Sequence, residues 1–228
     1  MTIGERPPNT TVVGVALLAK APVPGSVKTR FVPPCSLKQA AVFARAFLQD
    51  TADMLASPGI AARIQTWCSY LGDATLLQEI FGTQLLEQHG DDFGARIANA
   101  TEDLFDNGCG AVVALCADCP TVDADYFGEA LDLLVDHDVV FGPANDGGCL
   151  FVGLSQRAPK LFSEVEMSTD HVYDDMLEIA KNYGFSIATM AFRYDLDRFR
   201  DLEDAMRAGE LDHARHTLGA HENIGSTL

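Results

Sequence analysis

Short apolar runs of strand length alternate along this chain with segments of helical period. That alternation is the pattern of an α/β domain with a largely parallel sheet. Strands are expected over residues 11–18, 61–68, 84–88 (a short edge strand), 111–115, 138–141, 149–154 and 185–192. Between them, Ser36 is placed to cap a long helix over 37–56, ended by Pro58-Gly59. Asp73 caps a helix over 74–81, a further helix covers 95–105, and Thr121 or Asp123 caps one running to 134. A helix over 170–182 and a polar helical C-terminus complete the set. With 228 residues, 47% of them hydrophobic, and no Gly/Ser- or Pro-rich linker, the chain suits one domain over 11–228. The polar segment MTIGERPPNT over residues 1–10 reads as a flexible N-terminal arm.

The chain carries 16 Lys+Arg against 33 Asp+Glu, a net charge of −17. So negative a surface repels phosphate backbones and anionic lipids, which argues against nucleic acid or membrane as a partner. No stretch approaches the ~20 apolar residues of a membrane helix. The apolar run before Ala19-Lys20-Ala21 has the shape of a signal peptide. The residues ahead of it, with Glu5 beside Arg6, lack a positive excess, and a strand explains the run. Cysteines at 35, 68, 109, 116, 119 and 149 sit in or beside apolar runs and read as reduced thiols of a cytoplasmic protein.

In so acidic a chain, a cluster of cations carries weight. Residues 12–30, VVGVALLAKAPVPGSVKTR, run from a strand into a loop stiffened by Pro22, Pro24 and Gly25 and bearing Lys20, Lys28 and Arg30. Such a loop suits a di- or triphosphate; the alternative is an ordinary strand-to-helix loop with solvated cations. Ligands in open α/β sheets bind beyond the carboxyl ends of the strands. The loops 20–30, 116–120 and 194–197 leave such ends, and the loop 142–148 can join them. Asp118 is placed to hold Mg²⁺ or else to cap the next helix. Asp195 or Asp197 supplies a second carboxylate or forms a solvated turn. Asp146-Gly147-Gly148 either lets backbone approach a ligand or is a plain hairpin turn. Asp92 reads as a helix cap beside Asp91 and Arg96, and His171 as a helix-surface residue. Cys116-x-x-Cys119 lacks the second ligand pair of a zinc site and the setting of a redox pair, so buried thiols are expected.

The blocks LAKAPVPGSVKTRF, QHGDDFGARI, ALCADCPTV, FGPANDGGCLFVGL and, more loosely, YDLDRFRDLED resemble bacterial glycosyltransferase-like proteins related to phospholactate guanylyltransferases. The resemblance implies a single GT-A (nucleotide-diphospho-sugar transferase) domain, three-layered α/β/α with a mostly parallel mixed sheet. By that resemblance Lys20, Pro22, Gly25, Lys28, Thr29, Arg30 and Arg96 would bind nucleotide, with Lys28 and Arg30 catalytic. Asp118 and Asp197 would hold Mg²⁺ or Mn²⁺, and Asp146, Gly147 and Gly148 would line the acceptor side. The sequence departs from the family pattern at Cys116 and Ala117, at Arg198-Phe199-Arg200, and at Met167, where Trp is frequent. The implied activity is nucleotidyl transfer from a nucleoside triphosphate or glycosyl transfer from a nucleotide sugar, to a small-molecule acceptor, by a monomer or homodimer. The alternative is a catalytically idle nucleotide-binding or regulatory module of the same fold.

Overall fold

A computed structural model describes residues 12–225; the expected arm and the first residue of the expected first strand lie outside them. Seven strands form one sheet: β1 (Val13–Lys20), β2 (Ile64–Leu71), β3 (Gln84–Glu87), β4 (Ala111–Cys116), β5 (Val139–Pro143), β6 (Cys149–Leu154) and β7 (Ile187–Thr189). Their order is β3-β2-β1-β4-β6-β5-β7, with β6 antiparallel to β4 and β5 and every other pairing parallel. The expected mixed, mostly parallel sheet is therefore present.

Alternation along β1 divides the core in two. Val15, Leu17 and Ala19 pack with α1 (Leu37–Ala56), α2 (Pro58–Ala61), α3 (Ala74–Phe81) and α5 (Ala124–Asp136). Ala16 and Leu18 face the opposite layer, formed by α4 (Phe93–Asp106), α6 (Lys160–Ser163) and α7 (Val172–Asn182). Two last helices, α8 (Phe199–Arg207) and α9 (Arg215–Gly225), cover the outer side of α1. There Phe31, Phe43 and Phe199 meet in tilted and edge-to-face pairs at ring-centroid distances of 5.6–6.0 Å.

The helix starts follow the expected caps. Ser36 and Gln39 form a capping box on α1, and Asp73, Asp92 and Asp123 accept backbone N–H bonds at the starts of α3, α4 and α5. Because Asp123 caps α5, the Thr121 hydroxyl is free to donate to the Tyr194 carbonyl at 2.8 Å. Three details differ from expectation. Pro58 opens α2 instead of simply ending α1, because a proline at the first helical position loses no hydrogen bond; β2 then begins at Ile64. The helix α6 was not anticipated, and the edge strand β7 is only three residues long.

Asp50 ties α1 to α9. Its carboxylate is 5% exposed and accepts bonds from His216 N (2.9 Å), Thr217 N (2.8 Å) and Thr217 Oγ1 (2.6 Å) at the start of α9. Asp50→Ala leaves those donors unsatisfied, so denaturant unfolding should show a loss of roughly 2–4 kcal/mol. A loss under about 1 kcal/mol would mean that α9 does not depend on this cap.

Candidate active site

The inversion of β6 puts the β5–β6 turn at the same rim as the carboxyl ends of β1, β4 and β7. The four expected loops thus meet around a cleft of about 670 Å³.

Lys28 sits at its centre. Its backbone is left-handed (φ 42°, ψ 39°), uncommon for a residue with a side chain, and precedes a 3₁₀ turn over Thr29–Phe31. The side chain is 7% exposed and passes the Phe47 ring, with Nζ 5.6 Å from the ring centroid. Nζ lies 2.8 Å from Asp118 Oδ2 and 3.8 Å from Asp197 Oδ1. Burial by itself lowers the pKa of the ammonium, but Asp118, Asp195 and Asp197 outweigh it and hold that pKa above the usual lysine range. Conversely, desolvation opposes the Asp118 charge, and Lys28 more than offsets it, keeping that carboxyl below the ordinary range. Arg30 Nη1 lies 2.6 Å from Asp197 Oδ2 while its side chain stays 64% exposed. Lys20, the last residue of β1, lines the cleft and makes no ion pair among the described residues.

Beside these cations, one carboxylate oxygen each from Asp146, Asp195 and Asp197 lies within 4.8 Å of the other two. The Asp195 pKa is raised to about 7, chiefly by burial and further by Asp118, Asp197 and Asp146, with Lys28 pulling against them. Asp146 is held by its own turn, Oδ1 accepting from Gly148 N at 3.0 Å. Gly147 has φ 90°, and a Cβ there would stand 2.0 Å from the Asp170 carbonyl oxygen. Tyr173 N also donates to Gly147 O at 2.9 Å, so the hairpin tip is latched to the start of α7.

The structure thus gathers Lys20, Lys28, Thr29, Arg30, Asp118, Asp146, Gly148 and both candidates of the last loop, Asp195 and Asp197, at one cleft. Pro22, Gly25 and Gly147 shape its loops without lining it. Arg96, expected at the nucleotide, does not line the cleft; its Nε points to the Gly90 carbonyl at 3.4 Å. All six cysteines are free, and burial holds the Cys149 thiol well above its ordinary pKa, which disfavours its thiolate. His171 is an exposed residue 3.1 Å from Asp170. An apolar flank including Phe93, Phe162 and Met176 went unforeseen, because its helical spacing reads as core.

An open mixed sheet with its charged loops gathered beyond the parallel strand ends is the fold of nucleotide-diphospho-sugar transferase-like proteins. The chain belongs to the family described as "Uncharacterized protein conserved in bacteria (DUF2064)", whose model matches residues 56–169. That span holds Asp118 and the Asp146 turn but neither the cationic loop nor Asp195 and Asp197. A crystal structure of a "putative nucleotide-diphospho-sugar transferase" from Desulfovibrio desulfuricans G20 is 25% identical, with a TM-score of 0.80 over 92% of this chain and 97% of that one. A cytidylyltransferase from Leptospira borgpetersenii serovar Hardjo-bovis shares 13% identity and a TM-score of 0.54, with 95% of each chain covered. The 4-diphosphocytidyl-2C-methyl-D-erythritol synthase of Anaerococcus prevotii DSM 20548 shares 9% and 0.56, over 89% of this chain and 100% of that one. These last two likenesses concern the fold alone. No curated protein matches the sequence.

The crowded carboxylates predict a pH effect. Asp195 takes up its proton near pH 7 when folded and near pH 4 when unfolded, so the folded state binds more protons between those values. Stability from this group therefore falls as pH rises from about 4 to about 7. In metal-free buffer, Asp195→Asn should raise Tm at pH 8 and change it much less at pH 5. An equal change at both pH values would contradict the crowding.

Proposed function

We propose that the protein is a divalent-cation-dependent transferase whose donor is a nucleotide bearing a di- or triphosphate. The observation that carries this reading is the meeting of Lys20, Lys28 and Arg30 with Asp146, Asp195 and Asp197 in one cleft. Three carboxylates so closely grouped fit a hard cation such as Mg²⁺ or Mn²⁺, which takes oxygen ligands. Asp197, an expected ligand, belongs to that group. Asp118, the other, is clasped by Lys28 and keeps its side chain 40% exposed toward the cleft. When bound, the ion would neutralise phosphate charge and stabilise the departing group.

The chain's own residues supply the rest. Lys20 and the exposed Arg30 bind outer phosphate oxygens, and Lys28, fixed and charged, faces the negative charge that develops on the leaving phosphate. Attack at the α-phosphorus of a nucleoside triphosphate releases pyrophosphate; attack at the sugar carbon of a nucleotide sugar releases a nucleoside diphosphate. Neither route requires a protein nucleophile. Among the described residues no helix is long and apolar enough to cross a membrane, and six unpaired cysteines accord with a cytoplasmic setting.

Thermal unfolding with Mg²⁺ and a panel of nucleotides tests the reading, because a ligand that binds the folded state raises Tm. A di- or triphosphate with Mg²⁺ should raise Tm, and Lys28→Ala should weaken that ligand by roughly tenfold or more while leaving the nucleoside unaffected. No shift with any nucleotide or nucleotide sugar contradicts the proposal. Binding without release of pyrophosphate or nucleoside diphosphate in the presence of acceptors would select the idle module.

A further inference from the structure

Phosphate chemistry accounts for only one half of the cleft. The other half is walled by Phe93 and Ile97 of α4, Phe162 of α6, Met167, and Val172 and Met176 of α7. This wall is built rigidly. Gly94 lets α4 press against α6, since a Cβ there would stand 2.3 Å from the Phe162 carbonyl oxygen. Ile97, Phe162, Val172 and Met176 are themselves buried in one packed cluster, with Met167 against it. Phe93 is the exception, an aromatic ring 41% exposed at the cleft's edge.

The charges of the cleft are divided in the same way. Its lysines and arginine all lie within residues 20–30, and two of them are already paired with carboxylates. At the hairpin and α7 end, the lining charges are Asp146 and Asp170, both exposed carboxylates. With Asp146 turned to the proposed ion, an acidic acceptor lying on the apolar wall would meet the Asp170 carboxylate and no cationic side chain among the lining residues there. An apolar body would be favoured by the wall, at about fourfold in affinity for each methylene it buries.

Resting on the transferase reading above, we infer that the acceptor is a neutral or cationic alcohol or amine with an apolar body, rather than a phosphorylated or carboxylic acid. The acceptor's hydroxyl oxygen, or its amine nitrogen once an ammonium has given one proton to water, forms the new bond to the transferred group. That group's bond to the departing phosphate oxygen breaks, and the acceptor's proton passes to water at the cleft mouth, where Asp146 and Asp170 are exposed. Phe93 and Met167 then act as specificity-determining residues.

The test has two stages. Donor binding is measured first, from the Tm shift with nucleotide and Mg²⁺; if no donor binds, the transferase reading fails and takes this inference with it. With donor bound, saturation-transfer NMR and product mass spectrometry compare benzyl alcohol, phenethylamine and alkyl glucosides of increasing chain length against glycerol phosphate and lactate. The neutral and cationic probes should bind and accept the group, with affinity rising about fourfold per added methylene until the wall is filled. Phe93→Ala should weaken these probes by about tenfold with donor affinity unchanged, and Met167→Lys should shift preference toward the acids. Selection of the acids by the unaltered protein, binding of none of the apolar probes, or indifference to Phe93→Ala would each overturn the inference while leaving the donor reading intact.

Discussion

A charged ammonium held almost out of water is the constraint around which this cleft is arranged. Asp118, Asp195 and Asp197, converging from the loops after β4 and β7, more than offset the cost of burying the Lys28 charge. The reverse also holds: without that cation, three carboxylates would crowd one rim and repel. The left-handed backbone at Lys28 aims its side chain down past Phe47 and into this group, while Arg30, two residues on, closes over Asp197 from the solvent side. One short loop thereby fixes three strand ends relative to one another. A protein with a net charge of −17 can in this way hold a phosphate ligand, because local arrangement and not overall balance sets the potential in a cleft.

The antiparallel insertion of β6 is the second structural cause of the site. A wholly parallel sheet would have no hairpin at this rim. The turn between β5 and β6 brings Asp146 to the carboxylates of the last loop and, through Gly147, braces the start of α7. That brace also sets the apolar wall in place, so one turn borders both halves of the cleft. The charged half suits a polyphosphate and the apolar half suits a different molecule, which is what a two-substrate transfer reaction requires.

Local chemistry explains which parts of this were legible in the sequence. The helices α1 and α3, and the caps Ser36, Asp73 and Asp92, could be read because a capping side chain and a 3.6-residue period act over a few residues. At position 58 the reading failed, since proline both stops one helix and starts another well. In the site, each loop could be recognised, but its pairings could not. Lys28 and Asp118 are distant in the chain, and nothing in their spacing marks them as partners. Asp195 stood only as an alternative to Asp197, yet burial and the charges around it raise its pKa to about 7. Arg96 shared a motif with the site and turned its side chain to Gly90 instead. Phe93 and Met176 carry the periodicity of core residues, and only the packing of α4 against α6 and α7 turns them into a cleft wall.

The most direct measurement is anomalous diffraction from crystals grown with Mn²⁺ and a nucleoside diphosphate. The account predicts a manganese peak bounded by Asp146, Asp195 and Asp197, with the nucleotide's phosphates touching that peak and within reach of the side chains of Lys20, Lys28 and Arg30. A peak elsewhere on the molecule, or phosphates bound away from the 20–30 loop, would contradict it.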